Sequence, residues 1–537
     1  MQRNRVFLTT CSLLAFLFLG LNPALASQAD GILRIGWNQE PRTLNPMGYD
    51  TVQAGTIMRN CLYDTLITRD ENMNHAPMLA KSWQTSDDGL VWTFNLIDGA
   101  TWHDGKPLTS ADIAFTFRYI IDNQIGNYIN YLKHIQSIDA PDATTLVLTY
   151  REPIASALDD LANIYIVAKH KWQNIKGEEA AAYDNKNPLG SGPFVFQKWR
   201  KNEYLSFKVN EGYWRKKPQL KQVIFTYFAS RDPMVMSLQQ GDIHVIPTEL
   251  TPLATKVLAK EKKLKVVQTP NLYYRHICIN SSTFGQGHPA LRDARVRRAL
   301  AMTVDKKRLA GLIHLGFARP GLSVVMDGTP FYYGDSIERY GFNPQGAKKL
   351  LDEAGWKDSD ADGIRDRDGQ PLEITLLVIS RWPEEMRAAE MIRDWWKEIG
   401  IKLNLQSADG GTILAELFPD YKHDMYLWGF SGQPDPNFSV LIYLSNQRGK
   451  WNGAGYENPA YDALFEEQVR AVDPDKRREL IHKMQAIHYQ DSPSIVLYYM
   501  TAIGAYRADQ LAGFKEKITA GVINQLYPDG LIDVHFK

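Results

Sequence analysis

The sequence predicts a mixed α/β protein built from more than one domain. Strand-type alternation recurs along the whole chain, and helices with recognisable caps lie between the strands. At 537 residues, the chain also exceeds what one hydrophobic core ordinarily supports. No long Gly/Ser linker, low-complexity tract or fixed-period repeat divides it, so its domains are expected to interrupt one another in sequence.

Residues 32–37 (ILRIGW) read as the first strand. In 89–97, Leu90, Trp92, Phe94 and Leu96 share one face while Val91, Thr93 and Asn95 share the other. That is the period of a half-buried strand. Asp87-Asp88-Gly89 and His103-Asp104-Gly105 supply Asp-Gly turns on either side. Thr109 with Asp112 makes a capping box, opening a helix through Phe115, Phe117 and Ile120. Further strands are expected at 144–149, 205–209, 222–228, 265–268, 273–279, 372–379, 402–407, 425–430 and 495–499. Asn343, Pro344 and Gly355 occupy the N-cap, first-turn and C′ places of another helix. Residues 305–316, 383–400 and 474–490 carry helix starts or stops of the same kind.

The amino terminus points to export. Arg3 and Arg5 precede an apolar run, Val6 to Leu21, that is short for a bilayer span. Ala24-Leu25-Ala26 forms a cleavage site, making 1–26 a signal peptide and Ser27 the first mature residue. Cys11 lies inside the apolar run rather than after a cleavage site, against a lipid anchor. The expected location is the periplasm. Without Arg3 and Arg5, 59 basic residues face 61 acidic ones, which leaves no electrostatic footprint for nucleic acid. Two mature cysteines remain, Cys61 and Cys278, and the sequence leaves their pairing open.

Reactive motifs are missing from the sequence: there is no GxSxG, GxxxxGK[ST], GxGxxG or HExxH, and no Cys/His cluster with zinc spacing. Gly190-Ser191-Gly192 reads as a turn, and His482 and His488 are too far apart for an adjacent-turn pair. Asp358, Asp360, Asp362 and Asp366 imitate the opening of a calcium loop, but Gly369 stands where its bidentate carboxylate belongs. No enzyme activity and no cofactor are expected.

Several ordered blocks identify a family. The stretch 77–118 (PMLAKSWQTSDDGLVWTFNLIDGATWHDGKPLTSADIAFTFR) closely resembles the signature of the family 5 solute-binding proteins, the peptide and nickel receptors of bacterial ABC importers. PRTLNP (41–46), YDTL (63–66), GSGPF (190–194) and NEGYW (210–214) are similar to its earlier blocks. RDARVRRALAMTVDKKRL (292–309), AKKLLDEAGW (347–356), WGFSGQPDPNF (428–438) and the run from Asp473 resemble its later ones.

The resemblance implies a bilobal, periplasmic-binding-protein-like clamp with an extra subdomain inserted in lobe one. It implies lobe one at 27–57, 190–268 and 500–537, the inserted subdomain at 58–189, and lobe two at 269–499. It also implies a monomer that captures a small solute, a peptide above all, and delivers it to inner-membrane ABC permease subunits. A receptor of the same fold for an oligosaccharide, opine or metal complex is the second reading. A periplasmic peptide-handling chaperone is the third.

Candidate ligand contacts centre on the loop that ends the strand at 423–430, because open α/β sheets place ligands at the carboxyl ends of strands. They are Trp428, Gly429, Phe430, Ser431, Gln433 and Asp435. In peptide-binding relatives an aspartate near this point captures the ligand's α-amino group, whereas here Gly432 and Gln433 stand at the equivalent place. Asp435 either takes over that role or is a turn-forming Asp before Pro436. Arg381, beside Trp382 in the preceding strand-to-helix loop, matches the place where dipeptide-type relatives hold a ligand carboxylate. Tyr49 and Trp451 are further aromatic candidates.

Overall fold

The computed structural model describes residues 30–537, apart from 50, 127, 249, 335, 336, 381, 518, 522 and 525. The expected signal peptide and Arg381 therefore lie outside the described residues.

One mixed sheet runs through the molecule. Its strands lie in the order Lys402–Ala408, Glu373–Ile379, Met425–Ser431, Leu264–Ile279, Ser494–Arg507, Val245–Ile246, Ile32–Trp37, Gln222–Tyr227, Tyr204–Val209 and Phe194–Arg200, with Ala318–Pro320 added beside Ser494–Arg507. The first three strands are mutually parallel, so their carboxyl ends emerge on one side. Near-continuous apolar sequence marks the buried ones: Ile374, Leu376, Val378 and Ile379 are almost wholly covered.

Two long antiparallel strands, Leu264–Ile279 and Ser494–Arg507, belong to both ends of this sheet. Leu264 to Pro270 pair with Thr501 to Arg507 beside the amino-terminal strands, and Tyr274 to Cys278 pair with Ser494 to Tyr499 beside the later ones. The register breaks between Pro270 and Tyr274, where one strand advances four residues while its partner advances two. A second break falls between Arg275 and His276. This corrects the expectation of separate strands at 265–268 and 273–279 and of a short strand at 495–499. Thr269-Pro270-Asn271 reads locally as a terminator. The chain nevertheless stays extended, since an irregular ladder tolerates proline's missing N–H.

A separate four-stranded antiparallel sheet, in the order Ala80–Thr85, Val91–Leu96, Thr145–Tyr150 and Ile135–Asp142, forms between the first strand and the rest. The alternation read from the sequence is kept: Trp92, Phe94 and Leu96 are buried with Leu146 and Leu148. The helix Ser110–Asp122 covers this face with Ile113, Phe117 and Ile120, and its Thr109–Asp112 capping box is formed. Gly89 and Gly105 take the left-handed conformation that their turns require, at φ +72° and +81°. Asn343, Asp305 and Asp473 each accept a backbone N–H at the start of the helices Pro344–Glu353, Lys306–Ile313 and Pro474–Asp491.

Candidate ligand-binding site

Two adjoining cavities open between the region of the four-stranded sheet and the carboxyl ends of the later parallel strands. The smaller, about 290 Å³, is walled by Tyr49, Tyr128, Tyr131, Tyr165, Arg59 and Gln433, among others. The larger, about 680 Å³, shares Tyr131, Asn163 and Gln433 with it and continues past Asp159, Asp160, Asp435 and Arg477 to Trp451. Gln433 is the predicted residue that reaches both.

The loop after Met425–Ser431 is rigidly held. Gly432 N donates to Leu272 O at 3.0 Å, and a Cβ on Gly432 would collide with Met326. A larger residue there would require the Met326 side chain to move. Asp435 accepts the Asn437 N–H at 2.8 Å, as an Asp before proline does in a turn. Its carboxylate is also gripped by Arg477 through both guanidinium ends. Arg477 in turn donates to Gln468 Oε1 at 3.1 Å and to Ala155 O at 3.3 Å across the gap. The carboxylate proposed to receive a ligand ammonium is thus already engaged.

Other charges on the wall are paired in the same way. Asp159 meets Arg69 at 2.9 Å and His75 at 3.0 Å. Burial pushes its carboxyl up, but these partners hold it below the usual range. Glu152 pairs with His134 and Glu466 with Arg470. Asp160 differs. Among the described residues it has no ion pair, and its carboxylate accepts only the Ser156 hydroxyl at 3.0 Å. Burial and then the nearby Asp435 charge raise its carboxyl well above the ordinary value.

Along Met425–Ser431, side chains alternate. Tyr426, Trp428 and Phe430 face a third cavity of about 230 Å³, which also touches Trp451. Phe430 lies between Tyr274 and Phe438 with its ring tilted against both, and Trp428 meets Trp382 edge-on at 6.5 Å. Gly429 is buried on the opposite face, where a Cβ would strike the Arg275 guanidinium and the Tyr273 hydroxyl. Arg275 lies over the Trp382 ring at 3.9 Å and donates to Glu385 at 2.7 Å. Gly429, Ser431 and Trp382 do not border the three cavities.

The comparison with known families is decisive at this point. Residues 74–452 match the family described as bacterial extracellular solute-binding proteins, family 5, middle region. The chain belongs to this family. The oligopeptide-binding protein AppA of Bacillus subtilis (strain 168) is 27% identical over 492 residues, covering 88% of this chain and 87% of that protein. Among solved structures, the ABC transporter substrate binding protein CtaP from Listeria monocytogenes is similar with a TM-score of 0.80 and 26% identity, over 94% of this chain and 99% of that one. AppA from Bacillus subtilis, solved with a nonapeptide, shares the fold at a TM-score of 0.69 and 23% identity, over 94% and 99%. The fold is therefore the mixed α/β periplasmic-binding-protein type.

As a family 5 protein, the chain belongs to solute-binding proteins rather than enzymes. No helix among its described residues is long and apolar enough to cross a membrane. In the calcium-like turn, Asp358, Asp360 and Asp362 bring carboxylate oxygens within 4.8 Å of one another, but all three are exposed. Asp366 is engaged by Ser359 through its N–H and hydroxyl instead of joining them. Cys61 and Cys278 are both free and buried, which answers the pairing question.

Sequence reasoning missed the tyrosines Tyr128, Tyr131 and Tyr165 and the arginines Arg69 and Arg477. The tyrosine-rich stretch 128–134 (YINYLKH) was the available signal. Nothing local says that it faces Gln433, some 300 residues later in the chain.

Proposed function

We propose that this protein is the periplasmic receptor of a bacterial ABC importer, capturing peptides by closing two lobes and presenting the closed form to the membrane permease subunits. The carrying observation is the large cavity itself. It is walled by 69–163 on one side and 433–477 on the other, so a bound molecule would hold together parts of the chain that are remote in sequence. A preference for the closed form then requires only that ligand touch both walls.

In this reading, lobe one is 27–57, 190–268 and 500–537, the inserted subdomain is 58–189, and lobe two is 269–499. The register breaks beside Pro270 and Arg275 support a bend between the lobes, because a broken ladder has fewer hydrogen bonds to resist it. Gln433, Trp428, Phe430, Trp451 and Tyr49 are the proposed ligand contacts, with Arg381 a candidate for a ligand carboxylate.

The test is native mass spectrometry of protein purified from its periplasm, followed by calorimetry with synthetic peptides. A recurrent population of short peptides supports the reading. A sugar or metal chelate would replace it with the receptor for a non-peptide solute. That second reading is favoured by one feature, a wall of four tyrosines facing an uncharged Gln433.

A further inference from the structure

The third cavity lies against the sheet face carrying Tyr426, Trp428 and Phe430, and it holds about 230 Å³. Leu414, Leu417 and Ile442 complete an apolar, aromatic wall. We infer that this cavity is a specificity pocket for one aromatic side chain of the ligand, tyrosine or tryptophan in type. The inference rests on the peptide-receptor reading above.

Size permits it: an apolar protein cavity of about 150 Å³ already accepts benzene. Place permits it too. The pocket lies along one face of Met425–Ser431, the strand that leads into the Gln433 loop, and Gly410, at the start of the helix Gly410–Leu417, abuts the Trp428 ring. Trp451 belongs to the walls of both this pocket and the 680 Å³ cavity, so a molecule in the larger one can send a side chain into the smaller.

Two further features say what fits. Leu414 and Trp451, on the pocket wall, remain 50% and 55% exposed, apolar surface that an aromatic guest would cover. His276 also reaches the wall, and its buried Nε2 has no hydrogen-bond partner among the described residues. The Tyr443 hydroxyl lies 3.4 Å from its other ring nitrogen. Burial lowers the His276 pKa to about 3, so the ring is neutral and brings no charge to this wall.

Calorimetry with pentaalanine and its single-tyrosine variants tests the pocket. At least one tyrosine variant should bind about tenfold more tightly than pentaalanine, as burial of an aromatic side chain implies. Leu414→Trp, at an exposed position, should abolish that preference, so that the tyrosine variants bind no more tightly than pentaalanine. Leu414→Asp should do the same and serves if the first variant folds poorly. Equal binding of all the peptides overturns the pocket, and so does a preference that survives the substitutions. Failure of every peptide to bind instead sinks the receptor reading on which the pocket depends.

Discussion

Arg477 grips Asp435 at both carboxylate oxygens, with Nη2 2.9 Å from Oδ1 and with side chains only 4% and 8% exposed. The pair forms part of the wall of the ligand cavity, yet it is an internal brace. The Asp159 charge is felt by both partners, and that of Asp160 by Arg477.

Removing the arginine should therefore be costly. Arg477→Ala leaves a buried carboxylate beside other acids and is expected to lower stability by about 3–5 kcal/mol. Urea unfolding of the variant against the parent protein measures this. A loss below about 1 kcal/mol would mean that the pair is idle.

Asp160 should give stability an unusual pH dependence. Its carboxyl is raised by burial and then by Asp435, with Asp159 adding and Ser156 and Arg477 opposing. The folded protein consequently binds this proton more tightly than the unfolded chain, whose aspartates titrate near pH 3.9. The associated stability is fully present below that pH and is lost as pH rises through the raised folded-state pKa. Asp160→Asn escapes the loss. The variant should melt higher than the parent at neutral pH, with the difference shrinking as pH falls toward about 4. Melting curves in which the gap widens on acidification would contradict this.

Trp428→Ala should weaken ligand binding by more than about 1 kcal/mol, the scale of an aromatic anchor. Unchanged affinity in a normally folded variant would return Trp428 to ordinary packing against Trp382.

Ala155 N donates to Val469 O at 2.9 Å, joining segments on the two walls of the large cavity. Replacing both residues with cysteine should permit a disulfide that holds the cavity shut. Bound ligand should then exchange slowly in the oxidised form and quickly after reduction, followed by native mass spectrometry. Equal exchange rates in the two redox states would argue that this contact does not guard the ligand.

The native thiols should stay silent meanwhile. Burial alone raises the Cys61 pKa well above its ordinary value, and burial raises that of Cys278 to about 12. Neither should react with a charged thiol reagent at pH 8 until the protein is denatured. Stoichiometric labelling of the folded protein would show that one of them is open to solvent.

The sequence by itself determined the family, the α/β class and the capped helices. These rest on local rules: strand alternation around Trp92 and Phe94, the Thr109–Asp112 box, and the ordered motif blocks. It also indicated Trp428, late in the strand at 425–430, and Gln433, in the loop that follows, as candidate ligand contacts. Only the tertiary structure decided that 264–279 is a single strand running past Pro270, since its continuity depends on pairing with a strand more than 200 residues away. Likewise, only packing disclosed that Asp435 belongs to Arg477, and that Tyr131 and Asn163 share a wall with Gln433. A side chain's type and neighbours in sequence fix what it is able to bind. Which partner reaches it first is settled by contacts between distant segments, and no local pattern records them.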